Sequence, residues 1–315
     1  MKRTAGLVIA LAAVYISGNG YLTNLFVITA LFTLPALGLS LLMGYTGQIS
    51  LGHAAFVGLG AYGTAILCKN LGIDPWLAIA LATAFSTLAA WAIGWLVFRL
   101  RGHHLAMATL AFGIIIHVAT VELKGLTGGQ DGLSGVPPLS VLGYALNSDP
   151  AIFPFAWLVC ILGIVVAGNL VRSPAGFAMR AVAESEEVAA SIGIAPDRLK
   201  RRIMALSGFY AGLGGAIYAH YLGYISPGPF DVGFSVRLLL MVALGGFAGI
   251  WSVLFGVFFV VMTSELLKPF GNYDVVIYGV LLVVVMVWCP RGLLDGLAIL
   301  WRRGFALWRG AEAVS

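Results

Sequence analysis

The sequence predicts an all-α polytopic membrane protein of about ten transmembrane helices, with one short helix held outside the bilayer. Three observations carry this reading. The chain is 60% hydrophobic and only 10% charged, where soluble domains average about 45–50% and about 25%. Apolar runs long enough to cross a hydrocarbon core recur along its length. Its cationic residues collect in alternate connections, as they do when a membrane orients a chain. The 315 residues include no polar segment large enough to form a soluble domain, so the whole chain is one membrane domain.

The spans are placed at 5–18, 24–43, 52–68, 75–98, 103–120, 151–171, 203–224, 237–250, 251–267 and 274–289. Residues 1–18, "MKRTAGLVIALAAVYISG", also have the basic start and short apolar run of a signal peptide. No small-x-small cleavage site precedes Asn19 and apolar sequence resumes at once, so 5–18 is taken as a retained span. The run 237–267 is too long for one crossing, and Gly245, Gly246 and Gly249 divide it in two.

Charge placement supports this topology. With both termini cytoplasmic, the inside segments hold Lys2, Arg3, Arg99, Arg101, Arg172, Arg180, Arg198, Lys200, Arg201, Arg202, Arg291, Arg302, Arg303 and Arg309, most of the 18 Lys and Arg. Lys69, Lys124, Arg237 and Lys268 fall outside or near the outer face. The net charge of +5 therefore reflects orientation in lipid, and no basic soluble face exists to bind nucleic acid. Cys68, Cys160 and Cys289 are scattered singly, without metal-ligand spacing or a disulfide framework.

Two connections are long and polar. Val121 to Pro150, containing "KGLTGGQDGLSGVPPLS", maps to the outer side and is rich in turn residues. Residues 173–202 map to the cytoplasm and form the one charge-dense stretch. Within it, Phe177 to Ile192 has helical composition, with Ser173 as a cap, Pro174 in the first turn, and Gly193 then Pro196 as a stop. This predicts a single external helix in which Arg180 and Glu184 pair across one turn. Ala181, Ala189 and Ala190 keep its surface small enough for another protein to approach closely. A solvated connector is the plainer reading. Residues 290–315 are a cytoplasmic tail.

The stretch "MGYTGQISLGHAAFVGLGAY" (43–62) puts polar and helix-weakening residues inside an oily region. In lipid, irregular backbone is tolerated only where protein buries it or where it lines an aqueous cavity. Residues 43–53 therefore predict a helix break beside such a cavity, with Gly47, Gln48, Ser50 and His53 lining a path or gate. Gly58, Gly60 and Gly63 also suit close helix packing. "LLMGYTGQISLGHAAFVG" (41–58) is echoed by "LLMVALGGFAGIWSVLFG" (239–256), and matched Gly-interrupted segments mark substrate paths in carriers.

Glu265 lies in an apolar run and either pairs with Lys268 at the interface or serves the path. His103 and His104 are placed among headgroups, and His117 and His220 near outer helix ends. The five histidines offer no metal set. No phosphate loop, HExxH, nucleophile elbow or carboxylate pair is present, which argues against an enzyme and against any resident cofactor or metal. With so few deep ionisable groups, the energy for transport is expected from another subunit.

The chain resembles the permease subunits of ABC importers for branched-chain amino acids, in particular the LivM-type subunit. The motifs that carry the resemblance are "LPALGLSLLMGYTGQISLGHAAFVGLGAY", "RLRGHHLAMATLAFG" (99–113), "LTGGQDGLSGVP" (126–137), "GFAMRAVAESEEVAASIGI" (176–194), "ALSGFYAGLGGAIYAHYLGYISPGPF" (205–230) and "CPRGLLDGL". It implies the ABC importer permease fold in a bacterial inner membrane. The implied partners are a second, LivH-type permease, two cytoplasmic ATPases and a periplasmic substrate-binding protein. The external helix is then the coupling helix, with Arg180, Glu184, Glu187, Ala189, Ala190 and Gly193 at the ATPase contact. Import by alternating access of branched-chain or other small hydrophobic amino acids is the function implied. Relatives of this architecture also import urea, amides or small carboxylates, and a stand-alone small-solute channel is the rival from another class.

Overall fold

The computed structural model describes residues 11, 14–16, 18–100, 102–141, 143–246, 249–267 and 274–288. Most of the expected span 5–18, the tail 290–315 and Lys268 lie outside them. The helices are α1 (Gly20–Thr46), α2 (His53–Leu71), α3 (Pro75–Val97), α4 (His103–Glu122), α5 (Lys124–Thr127), α6 (Asp149–Arg172), α7 (Pro174–Glu184), α8 (Glu186–Ser191), α9 (Pro196–Leu222), α10 (Val232–Gly245), α11 (Ile250–Leu267) and α12 (Asp274–Trp288). Among the described residues six helices, α1 to α4, α6 and α11, are long and apolar enough to cross a membrane. The chain is thus an all-α polytopic membrane protein.

Local chemistry fixes the helix ends. Asn19, Asp74 and Asp231 accept backbone N–H bonds from Tyr21, Trp76 and Phe234 at 3.1, 2.9 and 2.8 Å, capping α1, α3 and α10. Gly47, Gly72 and Gly223 close α1, α2 and α9 in the left-handed region that favours glycine. Pro196, expected only as a stop, opens α9 in its first turn, so the apolar stretch 203–224 is the continuation of a helix that begins with Arg198, Lys200, Arg201 and Arg202.

α1 is the axis of the bundle. Within its most apolar window 83% of residues are buried, against 17% in α4, which places α1 at the centre and α4 on the rim. α9 crosses α1, α2 and α3. A Cβ on Gly60 would stand 2.1 Å from the Gly212 carbonyl oxygen, and one on Gly215 would stand 2.0 Å from that of Val57, so the α2 and α9 backbones touch. Leu77, Leu81, Phe85 and Leu88 of α3, with Leu158 and Leu162 of α6, point outward from the bundle.

The 123–148 connection is anchored at the end of α9. Strand β1 (Leu133–Ser134) pairs antiparallel with β4 (Tyr224–Ile225), and β2 (Ser140–Val141) with β3 (Tyr144–Ala145). His220 does more than occupy an interface. It is buried, with one ring nitrogen 2.9 Å from the Thr64 hydroxyl and the other 2.7 Å from the Pro137 carbonyl, pinning the connection to α2 and α9.

Candidate functional site: the unwound link and the external helix pair

α1 ends at Thr46 and α2 begins at His53, leaving residues 47–52 non-helical. Gly47 (φ 68°) turns the chain. Its N–H donates to the Met43 carbonyl at 3.1 Å, and that of Gln48 donates to Leu42 at 3.1 Å. The link then climbs back along the bundle. His53 meets Ser207 of α9 at 3.1 Å, and a Cβ on Gly38 would stand 2.7 Å from the carbonyl oxygen of the same Ser207. Gly38 is eight residues before Thr46, so the link spans about 12 Å of depth at 1.5 Å per helical residue.

Neighbouring helices satisfy this unwound backbone. The Leu51 N–H donates to the Thr109 hydroxyl at 3.1 Å, that hydroxyl donates to Ala106, and the Ala54 N–H donates to Ser235 at 3.1 Å. Gly52 lies against α4, where a Cβ would stand 1.9 Å from the Thr109 carbonyl oxygen. Two polar atoms on the link and its exit, Ser50 Oγ and His53 Nδ1, are buried without a hydrogen-bond partner among the described residues. Each such atom costs about 1–3 kcal/mol when left unpaired.

The expected path residues therefore divide into three places. Gly47 and Gln48 sit at the end of α1, partly accessible, with the Gln48 amide donating to the Thr46 carbonyl at 2.9 Å. Ser50 and His53 are buried inside the bundle. Glu265 is in neither group, lining a separate cavity near the start of α1.

The echo at 239–256 has a structural counterpart. α10 stops at Gly245, Gly246 takes φ 89°, and α11 starts at Ile250. The Ile250 backbone hydrogen-bonds the Tyr45 hydroxyl, so this second break lies beside the end of α1.

The external segment departs from the single helix expected over 177–192. It is two helices, α7 and α8, broken at Ser185, whose extended backbone (φ −159°, ψ 120°) and hydroxyl cap α8 through Val188 N–H at 3.3 Å. A serine followed by Glu186 and Glu187 is a helix start, and here it prevails over continued helical composition. The expected Arg180–Glu184 pair does not form among the described ion pairs. Arg180 lies over the Phe177 ring at 4.8 Å and donates to the Val171 carbonyl at 3.4 Å, clasping the end of α6.

Ala189 is fully buried against its own chain, so it is not part of an outward docking face. Arg180, Glu184, Glu187, Ala190 and Gly193 are exposed, together with Phe177, Val188 and Ile192.

This pair meets the bundle at two places. Lys200 of α9, 1% exposed, bonds Glu186 at 2.9 Å, lies 3.7 Å from Asp197 and faces the Phe98 ring at 5.6 Å. A cavity of about 280 Å³ separates Thr46, Gly47, Gln48 and Ile49 from Val182, Ala183, Glu184, Ser185 and Glu186. The α7–α8 joint thus faces the turn that opens the unwound link. Sequence reading missed Thr109, Ser207, Ser235 and Lys200. The first three lie in or beside quoted motifs, but their bonds run 58, 154 and 181 residues along the chain.

An apolar helical bundle with a protein-satisfied break and an external helix pair defines a membrane permease. The family model for the permease component of branched-chain amino acid transport systems matches residues 21–286, and the chain belongs to that family. It is 31% identical to the high-affinity branched-chain amino acid transport permease LivM of Salmonella typhimurium, over 91% of this chain and 73% of that one. It is 30% identical to LivM of Escherichia coli K12 over the same shares. Identity to the E. coli LivH permease is 24%, over 84% of this chain and 91% of LivH. No solved structure matches the chain at a significant level.

Proposed function

We propose that this chain is one of two permeases in an ATP-driven importer that carries branched-chain or other small hydrophobic amino acids inward by alternating access. Its partners are a LivH-like permease, two ATPases on the α7–α8 side and a binding protein on the other. That orientation puts α7, α8 and both termini in the cytoplasm and brings the number of spans to ten, counting 5–18, α9, α10 and α12. The relatives named for branched-chain amino acids support this cargo over urea, amides or carboxylates. Their permease names also favour a subunit of a pump over a free-standing channel.

The observation that carries the mechanism is that the α7–α8 joint faces the Gly47 turn across a small cavity and comes close to it at Ala183, 3.6 Å from where a Cβ on Gly47 would stand. Closure of the ATPases pushes Phe177, Arg180, Glu187 and Val188. The Lys200–Glu186 pair passes that motion to α9, and the joint passes it to the link. Ser50 and His53, with unpaired polar atoms in this state, gain partners as the link shifts, so the link acts as the gate.

The docking face has a direct test. Val188 is 63% exposed and lies outside the buried core, so Val188→Asp is expected to leave the permease folded. It is expected to lower ATPase co-purification by about tenfold or more, the scale of losing one apolar anchor of an interface. ATPase recovery equal to wild type contradicts the docking assignment.

A further inference from the structure

A cavity of about 430 Å³ opens between the first half of α1, the end of α9, α10 and the last turns of α11. It is well separated from the link, being lined by Leu25 and Phe32 of α1, and its volume falls in the range of about 300–1,000 Å³ typical of small-molecule sites. One wall is aromatic. Phe32 packs against Phe234 at 5.1 Å and Tyr218 at 5.4 Å between ring centres.

Two residues of opposite charge share this cavity, Arg237 and Glu265. The sequence sets Arg237 outside or near the outer face; the structure puts it a turn and a half into α10, beside α1 residues 5 to 12 positions, about 8–18 Å, from the start of that helix. Its guanidinium stands 5.7 Å from the Phe234 ring centre and 6.0 Å from that of Tyr278. Its Nε is buried with no hydrogen-bond partner among the described residues. An arginine held inside a membrane bundle with donor capacity to spare marks a functional site, and a guanidinium is shaped to grip a carboxylate.

We infer that this cavity binds a free α-amino acid as its zwitterion. The carboxylate meets Arg237, the ammonium faces Glu265, and an aliphatic side chain lies on Phe32, Phe234 and Tyr218. The site gives the permease its own means of separating amino acids from the other cargoes of this architecture. Urea and amides carry neither charge, and a simple carboxylate engages Arg237 alone. The class of ligand rests on the importer reading above, whereas the demand for two opposite charges rests on the cavity.

The test is ligand-observed NMR on the assembled transporter without its binding protein, in nanodiscs. L-leucine, leucinamide and 4-methylpentanoate serve as probes, the second lacking the carboxylate and the third the amine. Leucine is expected to bind at least about tenfold more tightly than either analogue, since each removes a charge-assisted contact. Arg237→Gln should abolish the preference over leucinamide, Glu265→Gln should abolish the preference over 4-methylpentanoate, and Arg237→Lys should retain part of the first. Equal binding of the three probes to wild type overturns the inference, even if both Gln variants fail to assemble, and so does an unchanged preference in an assembled variant. ATP-driven leucine uptake by wild type is measured in parallel. Its failure alongside selective binding removes the importer reading and leaves the site, and its success alongside unselective binding does the reverse.

Discussion

Changing Glu186 to Gln is expected to lower the amino acid imported per ATP hydrolysed by about fivefold or more, the lower end of typical coupling between sites. Lys200 is 1% exposed, and its nearest partner is Glu186 at 2.9 Å. Removing one member of a buried pair costs about 3–5 kcal/mol because the other charge is left unpaired. Glu186 is 27% exposed and Asp197 remains 3.7 Å away, which reduces the expected cost to about 2–3 kcal/mol. α8 then loses its tie to the base of α9, and ATPase movement is dissipated before it reaches the bundle. Uptake and hydrolysis measured together in proteoliposomes check the ratio, and thermal unfolding checks the stability. The double change Glu186→Leu with Lys200→Met should recover much of the stability, because apolar side chains replace buried ion pairs at little cost. A single Gln variant with wild-type coupling and stability removes the pair from the mechanism.

The second large effect is expected at Gly52. Its backbone (φ −105°, ψ 20°) is open to any residue, so the demand for glycine is purely one of space. The new methyl of Gly52→Ala would stand 1.9 Å from the Thr109 carbonyl oxygen and 2.9 Å from its carbon, both backbone atoms. α4 must move away, which breaks the Leu51–Thr109 bond that satisfies the link. Overpacking typically costs about 1–3 kcal/mol, and contact with rigid backbone puts this case at the upper end. Uptake should fall by about tenfold or more, a loss equivalent to at least 1.4 kcal/mol. Gly168→Ala is the matched control, since nothing stands within 4 Å of its Cβ position, and it should transport normally. Equal uptake by the two variants contradicts the tight seating of the link.

Much of this architecture was legible because it rests on local chemistry. Long apolar runs and the polar fault at 43–53 announce themselves within a few residues. The division of 237–267 at its glycines was legible for the same reason. The misreadings arise where long-range packing decides. Ala189 has the small side chain of a docking surface, yet only the folded chain reveals that it packs inward.

Arg180 and Glu184 have the spacing of a pair. The α6 end and the Phe177 ring offer the guanidinium closer partners. Ser185 is a local signal that helical composition on both sides concealed. Arg237 was set outside or near the outer face by its place in the sequence, and its seat in a cavity beside the first half of α1 becomes visible only in the folded chain. Gly47, Gln48, Ser50 and His53 looked like one group because they are close in sequence. Folding carries Gly47 to the external joint and His53 into the core, while Glu265 joins Arg237 in another cavity.

Radiolabelled leucine uptake most directly tests the central claim, that an external helix pair drives an unwound link to admit amino acids. The transporter is reconstituted with its partner permease, ATPases and binding protein. Uptake is predicted to require enclosed ATP, to be competed by isoleucine and valine but not by urea, and to be lost in Gly52→Ala while ATP hydrolysis persists. Leucine flux that proceeds without ATP, or that urea competes, contradicts the account.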